Sequence, residues 1–402
     1  MFSTTLFSWV IRFACVLFIF NSNSLYAIEA VSNKAQSRGM DIGLTALFSA
    51  GGSSVDNLTL SDLQAGGHDP ARNGFTVQNV ELSIAATIDS YFDAQSNFIF
   101  LINAEGETVV ELEEAFLTTR QLAAGLQLKA GQYFTEFGRQ NSLHPHSWSF
   151  ADQPVILSRL LGGDGLRSQG LRLSWLMPTD WFSELLIGAQ NAKGETAQSF
   201  LNAAGEDVAG YILIDRRARN SGDLLYSARW LNAADISDTI SMNVGVSGLW
   251  GPNASDTESD TTIIGSDFYI KWQAINSQRG YPFVAWHSEI VQREYEALNQ
   301  TNPAHEILVD SGYFSQISWG FKPGWVAGLR IEEARSEGDN STDPMRDNRQ
   351  RLSTNITWYL SEYSKLRLQY NQDKTEHLAD ETAHSIWLQL EFNMGSHAAH
   401  SF

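Results

Sequence analysis

Alternation of apolar and polar side chains runs along most of this chain. It is clearest at residues 79–88, where Val80, Leu82, Ile84 and Ile88 share one parity. A period of two residues predicts a β-strand whose two faces differ in polarity, and each segment is about as long as a tilted strand that crosses a bilayer. We predict sixteen strands, near residues 40–49, 79–88, 92–103, 108–119, 126–137, 169–177, 181–190, 223–231, 238–250, 262–275, 282–292, 307–321, 325–334, 350–360, 364–372 and 384–394.

The connections between these strands alternate between long and short. Short turns such as Pro178-Thr179-Asp180 separate long stretches rich in Gly, Asp, Asn and Ser, and Ala104–Glu107 is the one short hairpin where a long loop is expected. Outer-membrane barrels have short periplasmic turns, long external loops and an even number of strands. The predicted fold class is therefore all-β, a transmembrane antiparallel β-barrel of about sixteen strands. The long connections are residues 51–73, 138–168, 191–222, 251–261, 293–306, 335–349 and 373–383.

The third long connection has a pattern of its own. Its middle, Gln153 to Leu161, has apolar residues at helical spacing, begins with Pro154 and is followed by Gly162-Gly163. Proline is favoured in the first turn of a helix and glycine just after its end. A long loop with a short helix, inserted in an all-β chain, predicts that residues 138–169 fold into the barrel and narrow it.

The N-terminus predicts export. Arg12 precedes the apolar run 13–20, and a polar stretch leads to a cleavage site after Ala27, with Ala30 as an alternative. This is the pattern of a signal peptide, here residues 1–27, followed by a flexible segment at 28–38 and the barrel at 39–402. Cys15, the one cysteine, leaves with the signal. No other segment is apolar enough for a membrane-spanning helix, so the chain is an outer-membrane barrel or a soluble exported β-protein.

Charge and motifs exclude two classes of function. The formal net charge of −19 argues against nucleic-acid partners, which need a basic surface. The chain has no GxSxG, HExxH or GxxxxGK[ST] motif, and Gly162-Gly163-Asp164-Gly165 follows a helix instead of opening one. We therefore expect no enzyme activity.

Strand parity and the third long connection select candidates for the lumen and its constriction. Inward bases that face loop carboxylates would create a field across the pore and set ion selectivity. The alternative is that these groups form ion pairs that keep the wall hydrated. The candidates are Asp152, Arg159, Asp164, Arg167, Arg172, Lys271, Glu289, Arg330, Arg351 and Arg367.

Two histidines in the same loop are candidate metal ligands. His144 and His146 flank Pro145, with Asp152 and Asp164 further along the loop. Imidazole and carboxylate together suit Zn²⁺ or another transition metal. The alternative is that the histidines are exposed or form hydrogen bonds, and no other cofactor is expected.

One block of sequence resembles a known family. Residues 126–177, which include AGQYFTEFGRQNSLHPHSWSFADQPVILSRLLGGDGLRSQGLRLSWL, are similar to bacterial outer-membrane porins of the phosphate-selective porin O/P-like kind. Some of these relatives are labelled zinc-regulated TonB-dependent outer membrane receptors. The resemblance implies a barrel of about sixteen strands and passive or selective uptake. This chain differs in having no separate plug domain or TonB box, and an acidic balance where a phosphate pore has a basic ladder.

These observations lead to one main functional hypothesis and an alternative. The main hypothesis is a porin of the cell outer membrane through which small polar or ionic solutes diffuse with weak selectivity. The alternative is a plugged barrel that acts as a metal-linked (zinc) uptake receptor or a surface-binding protein. The expected partners are outer-membrane lipid and lipopolysaccharide, the barrel-assembly machinery through the terminal Phe402, small solutes and two further copies in a homotrimer.

Overall fold

A computed structural model describes residues 39–395 apart from 64–65, 104–105, 195, 203–206, 210, 299–304, 338–342, 344–345 and 379. The predicted signal peptide, the predicted flexible segment 28–38 and Phe402 lie outside the described residues, and the described residues belong to one compact unit. In the described part of the chain, sixteen strands form the barrel. They are β1 (Met40–Ser53), β2 (Gly74–Thr87), β3 (Phe92–Ile102), β4 (Thr108–Thr119), β5 (Leu126–Phe134), β6 (Arg167–Leu176), β7 (Phe182–Asn191), β8 (Leu224–Ser237), β9 (Ile240–Pro252), β10 (Asp260–Gln278), β11 (Tyr281–Leu298), β12 (His305–Lys322), β13 (Trp325–Ser336), β14 (Arg349–Ser361), β15 (Ser364–Thr375) and β16 (Thr382–Gly395).

The strands follow one another around a closed antiparallel barrel. Each pairs with its neighbours in the chain, and β1 closes the barrel on β16, with Ala46 opposite Phe392. Closure leaves no free sheet edge, so the backbone groups of the strands are paired within the barrel, as a bilayer requires. The sequence prediction of an all-β barrel with sixteen strands is confirmed.

The outer face of the barrel is apolar and the inner face is polar. In β16, Ile386 and Leu388 are 54% and 44% exposed, whereas Gln389 and Glu391 are 2% and 0% exposed. A soluble protein would bury the apolar face, so this alternation inverts the usual pattern and matches a barrel surrounded by lipid. Together with the closed barrel, it confirms the predicted location in the outer membrane. In the part of the chain that the structure describes, none of the helices has the length and apolar character of a membrane span.

Two short α-helices lie in the described parts of the long connections. Helix α1 (Asn57–Leu63) lies between β1 and β2, in a connection for which no helix was predicted, and buries Leu60 and Leu63. Helix α2 (Val155–Leu161) lies between β5 and β6 and is entirely buried. Pro154 immediately precedes α2, and Gly162 follows it at φ 97°, a conformation that favours glycine. The helix predicted in the third long connection is confirmed.

The connection that carries α2 packs into the barrel. We call residues 135–166 the inner loop. Its apolar residues Phe137, Ile156 and Leu160 form a buried cluster with residues of the barrel wall such as Val291 and Phe314. The inner loop is shorter than the predicted 138–169 at its C-terminal end, because residues 167–169 pair with Gln132–Phe134 and belong to β6. Arg167 is therefore a wall residue and not a loop residue.

Candidate functional site

A glutamate on the wall holds the start of the inner loop. The backbone N–H groups of Arg139 and Gln140 donate to Glu289 Oε1 of β11 at 2.8 and 2.7 Å. Gly138, just before them, has φ 59°, and a Cβ at that position would overlap the Glu289 carboxylate. Glycine is therefore required both by the backbone conformation and by the close approach to Glu289.

Asp152 holds the middle of the inner loop to another part of the wall. It is completely buried, and Arg330, Arg351, Gln369 and Asn371 all donate to its two carboxylate oxygens. Arg330 Nη1 also donates to the backbone oxygen of Asp152 at 2.9 Å. Burial would raise the pKa of this carboxyl, but Arg330 and Arg351 hold the pKa below its ordinary value of 3.8. Asp152 is thus an ionised anchor with every lone-pair direction in use.

Arg367, the remaining predicted lumen base of β13–β15, is also bound to the inner loop. Arg367 donates to the backbone oxygen of Trp148 and to Gln389, each at 2.8 Å. Carboxylates on β13–β16 neutralise most of the positive charge of this part of the wall. Its ion pairs include Arg330–Glu332 at 2.7 Å, Arg349–Asp373 at 2.8 Å, Arg351–Asp373 at 2.7 Å and Lys365–Glu391 at 2.7 Å.

Each of the remaining predicted bases has its own partner. Arg159 of α2 donates to the backbone oxygen of Asp347, and burial lowers its pKa to about 10. Arg167 bonds Glu111 at 2.8 Å and the backbone oxygen of Asp164 at 2.9 Å. The last two predicted bases have separate environments: Arg172 pairs with Glu136 at 3.2 Å, and Lys271 lies 5.2 Å from the ring centre of Phe283.

A second cluster joins the tip of the inner loop to β2 and β4. His144 Nδ1 lies 2.9 Å from Glu113 Oε2 and 3.4 Å from Glu81 Oε1, and its Nε2 lies 3.1 Å from Glu114 Oε2. His146 Nδ1 lies 3.1 Å from the other oxygen of Glu81. Pro145–Ser147 forms a 3-10 turn that stacks the two imidazole rings 5.7 Å apart, so both histidines meet the same glutamate.

Burial and charge act in opposite directions on His144. Burial alone would lower its pKa, but the carboxylates of Glu81 and Glu113 raise it well above the ordinary value of 6.5. In the absence of any other cation, His144 is therefore an imidazolium that partly offsets the surrounding carboxylates.

A β-bulge explains why two consecutive glutamates point inward. Asn97 of β3 pairs with Glu114 of β4, but the next residue, Phe98, pairs with Leu112, which leaves Glu113 as the extra residue. A bulge re-aims one side chain that strict alternation would place outside. Glu113 and Glu114 are consequently 0% and 6% exposed, both inside the barrel. Strand alternation alone could not place these side chains, because Glu111, Glu113 and Glu114 do not share one parity.

A third histidine lies beside this cluster. His68, in the connection after α1, is 2% exposed, and its Nε2 lies 3.8 Å from Glu113 Oε1 and 3.6 Å from Asp164 Oδ1. Neither ring nitrogen of His68 has a hydrogen-bond partner among the described residues. The structure therefore brings together His68, Glu81, Glu113 and His144, of which the sequence singled out only His144 as a metal ligand.

Comparison with known proteins finds no matching family model. An uncharacterized protein of Aquifex aeolicus (strain VF5) is 29% identical over 391 residues, which cover 90% of this chain and 80% of that protein. The solved structures that resemble this chain do so at low sequence identity.

Three of these structures match most of the barrel. OprB of Pseudomonas putida has a TM-score of 0.57 and 10% identity, and the match covers 89% of this chain and 94% of that one. The outer membrane channel DcaP of Acinetobacter baumannii has a TM-score of 0.55, 12% identity, and coverage of 89% and 96%. The anion-selective porin from Comamonas acidovorans has a TM-score of 0.54, 9% identity, and coverage of 89% and 99%. The chain therefore has the barrel fold of the outer-membrane porins.

Proposed function

We propose that this protein is an outer-membrane channel through which small polar or ionic solutes diffuse past the inner loop. The observation that carries the proposal is a closed barrel with a polar, charged inner face, into which one loop is fixed by Asp152 and Glu289. Polar and charged side chains on the wall support an aqueous path, and a fixed loop sets its width. Selection by size follows from that width.

Charge selectivity is weak in this proposal. Many of the inward bases are matched by nearby carboxylates, as in Arg229–Asp267 at 2.9 Å and Arg351–Asp373 at 2.7 Å. A pore that prefers anions such as phosphate needs bases whose charge is not neutralised by the protein. The paired wall therefore favours a general diffusion channel over the phosphate-selective kind that the sequence block resembles.

The surroundings of the barrel belong to the same proposal. The apolar outer face would contact lipid and lipopolysaccharide, and part of it would contact neighbouring copies in a homotrimer. One solved structure with this fold, at a TM-score of 0.51 and 7% identity, is the trimer form of OmpT from Vibrio cholerae. Light scattering of the purified protein, corrected for bound detergent, tests the trimer by mass, and a monomeric mass would contradict it.

Liposome swelling tests the channel proposal. Purified protein is reconstituted into liposomes that are then placed in isotonic solutions of neutral sugars of increasing size and of small charged solutes. We expect swelling that slows steadily as the solute becomes larger and that differs little between anions and cations of similar size. Protein-free liposomes provide the baseline. A folded protein that admits none of the smallest solutes would contradict the proposal.

A further inference from the structure

We propose that Glu81, Glu113 and His144 bind a divalent transition-metal ion of the Zn²⁺ type, between the tip of the inner loop and the β2–β4 wall. We call these three residues the Glu–Glu–His site. One ligand atom from each lies within 4.8 Å of the other two. This inference does not depend on the channel function, because it concerns only whether the site holds an ion.

The ligand atoms converge without bonding one another. His144 Nδ1 and Glu113 Oε2 are 2.9 Å apart, yet neither has a hydrogen-bond partner among the described residues, because the angles between them do not suit a hydrogen bond. Ligand atoms at about 2.0–2.2 Å from one Zn²⁺ in tetrahedral geometry lie roughly 3.3–3.6 Å apart. The distance from His144 Nδ1 to Glu81 Oε1, 3.4 Å, lies in that range, and the distance to Glu113 Oε2, 2.9 Å, is slightly shorter.

Burial makes it costly that no group donates a hydrogen bond to Glu113 within the described residues. The side chain is 0% exposed, and both of its carboxylate oxygens lack a hydrogen-bond partner among the described residues. A buried carboxylate without partners carries a large desolvation penalty unless a cation compensates it. An ion at the Glu–Glu–His site would supply that compensation for Glu113 and for Glu81, which is 2% exposed.

Neighbouring side chains orient the ligands as a second layer. Glu114 lies 3.1 Å from His144 Nε2, so a proton on Nε2 leaves the lone pair of Nδ1 directed at the site. Ser83 donates to Glu81 Oε1 at 2.9 Å, and Asn97 donates to Glu114 at 2.9 Å. Histidine ligands of metal ions characteristically donate their other ring N–H to a carboxylate in this way.

The donor set selects the class of ion. An imidazole nitrogen with carboxylate oxygens suits Zn²⁺ and related first-row ions, whereas Ca²⁺ and Mg²⁺ prefer oxygen ligands alone. A further imidazole, that of His68, lies beside the site: its Nε2 is 3.8 Å from Glu113 Oε1 and has no hydrogen-bond partner among the described residues. A water molecule can complete the coordination.

Isothermal titration calorimetry with ZnCl₂ tests the site. The folded full-length barrel in detergent is first treated with chelator, then titrated alongside Glu113→Gln, His144→Gln and the matched control His287→Gln. His287 is another buried lumen histidine, but it bonds Glu289 in hydrogen-bonding geometry at 2.9 Å. Visible absorption with Co²⁺ in place of Zn²⁺ reports whether nitrogen and oxygen ligands surround the ion. The mobility shift on heating confirms that each variant is folded.

We expect one Zn²⁺ per wild-type chain and the same binding in His287→Gln. The affinity of Glu113→Gln and of His144→Gln for Zn²⁺ should be weaker by about 10–100-fold or more, because loss of a residue that only hydrogen-bonds a metal ligand already weakens binding by that factor. Ca²⁺ and Mg²⁺ should not compete at equal concentration. Absence of Zn²⁺ binding to the folded wild-type protein would overturn the proposal and leave an imidazolium–carboxylate cluster. Equal binding by the wild type and both ligand variants would also overturn it, because the ion would then lie elsewhere.

Discussion

Asp152 and Glu113 are both fully buried carboxylates inside the barrel, but their surroundings differ. Asp152 receives hydrogen bonds from two arginines and two amides, so its charge is compensated by the protein itself. Glu113 has no hydrogen-bond donor among the described residues and faces two imidazoles. The first environment fixes a loop, and the second is open to a cation.

Removing the Asp152 carboxylate should loosen the inner loop. Asp152→Ala leaves Arg330 and Arg351 each with one fewer buried partner, which typically costs about 3–5 kcal/mol. We expect a lower urea midpoint for unfolding of the folded barrel, together with noisier single-channel current and a shift of the reversal potential toward anions. The control Asp180→Ala changes a carboxylate in an exposed turn. Wild-type values in Asp152→Ala would show that Asp152 does not hold the loop.

Asp69 makes the stability of the folded barrel depend on pH. Burial, followed by the nearby Asp152 carboxylate, raises the pKa of Asp69 to about 7, against the effects of Arg351 and Arg330. The folded state then binds a proton that the unfolded state releases near its ordinary value of 3.8, so this group's contribution to stability falls as pH rises from about 4 to 7. Asp69→Asn retains the oxygen that accepts from the backbone N–H of Gln153 but cannot ionise.

The measurement is the urea midpoint of wild type and Asp69→Asn at several pH values. We expect the urea midpoint of Asp69→Asn to rise relative to that of the wild type between pH 4 and pH 7. Above pH 7 the difference between the two midpoints should stay constant. Parallel curves over the whole range would mean that Asp69 has the same pKa in the folded and unfolded states.

At the level of elements, the inner loop and the bulged strand β4 bring distant side chains together. The start of the inner loop bonds Glu289 of the wall, and Arg330 of the wall bonds Asp152 in the middle of the loop. Helix α2 packs on the wall through buried apolar residues. The bulge at Glu113 turns a second carboxylate inward toward the tip of the same loop. Polar contacts with Glu289 and through Asp152, together with the apolar contacts of α2, therefore hold the loop to the wall. The tip of the loop lies in a cluster of ionisable groups.

Gly138 tests how closely the loop must approach Glu289. Gly138→Ala places a Cβ in the left-handed region, at a cost of roughly 1–2 kcal/mol, and adds a clash with the Glu289 carboxylate. Gly106→Ala is the matched control, because Gly106 also has positive φ, at 83°, but has nothing within 4 Å of the added Cβ. We expect the urea midpoint to fall more for Gly138→Ala than for Gly106→Ala. Equal losses would indicate that only the backbone conformation matters.

At the level of the whole molecule, the sequence was sufficient for the barrel but not for the sites inside it. Strand alternation and loop lengths depend on neighbouring residues, so the sixteen strands and helix α2 were predictable. Helix α1 was missed because only Leu60 and Leu63 of its seven residues are buried, so it has few apolar positions, whereas all seven residues of α2 are buried. The contacts of Asp152 join residues 178 to 219 positions apart, and the bulge at Glu113 breaks the alternation that the prediction relied on.

Single-channel conductance in a planar bilayer tests the channel most directly. The purified, heat-modifiable barrel is added to one side of a bilayer that separates two KCl concentrations. Our account predicts discrete, steady current steps with a reversal potential close to zero, because the bases and carboxylates of the wall neutralise each other. Persistent silence from folded protein that has inserted into the bilayer would contradict it and would show that the inner loop closes the barrel.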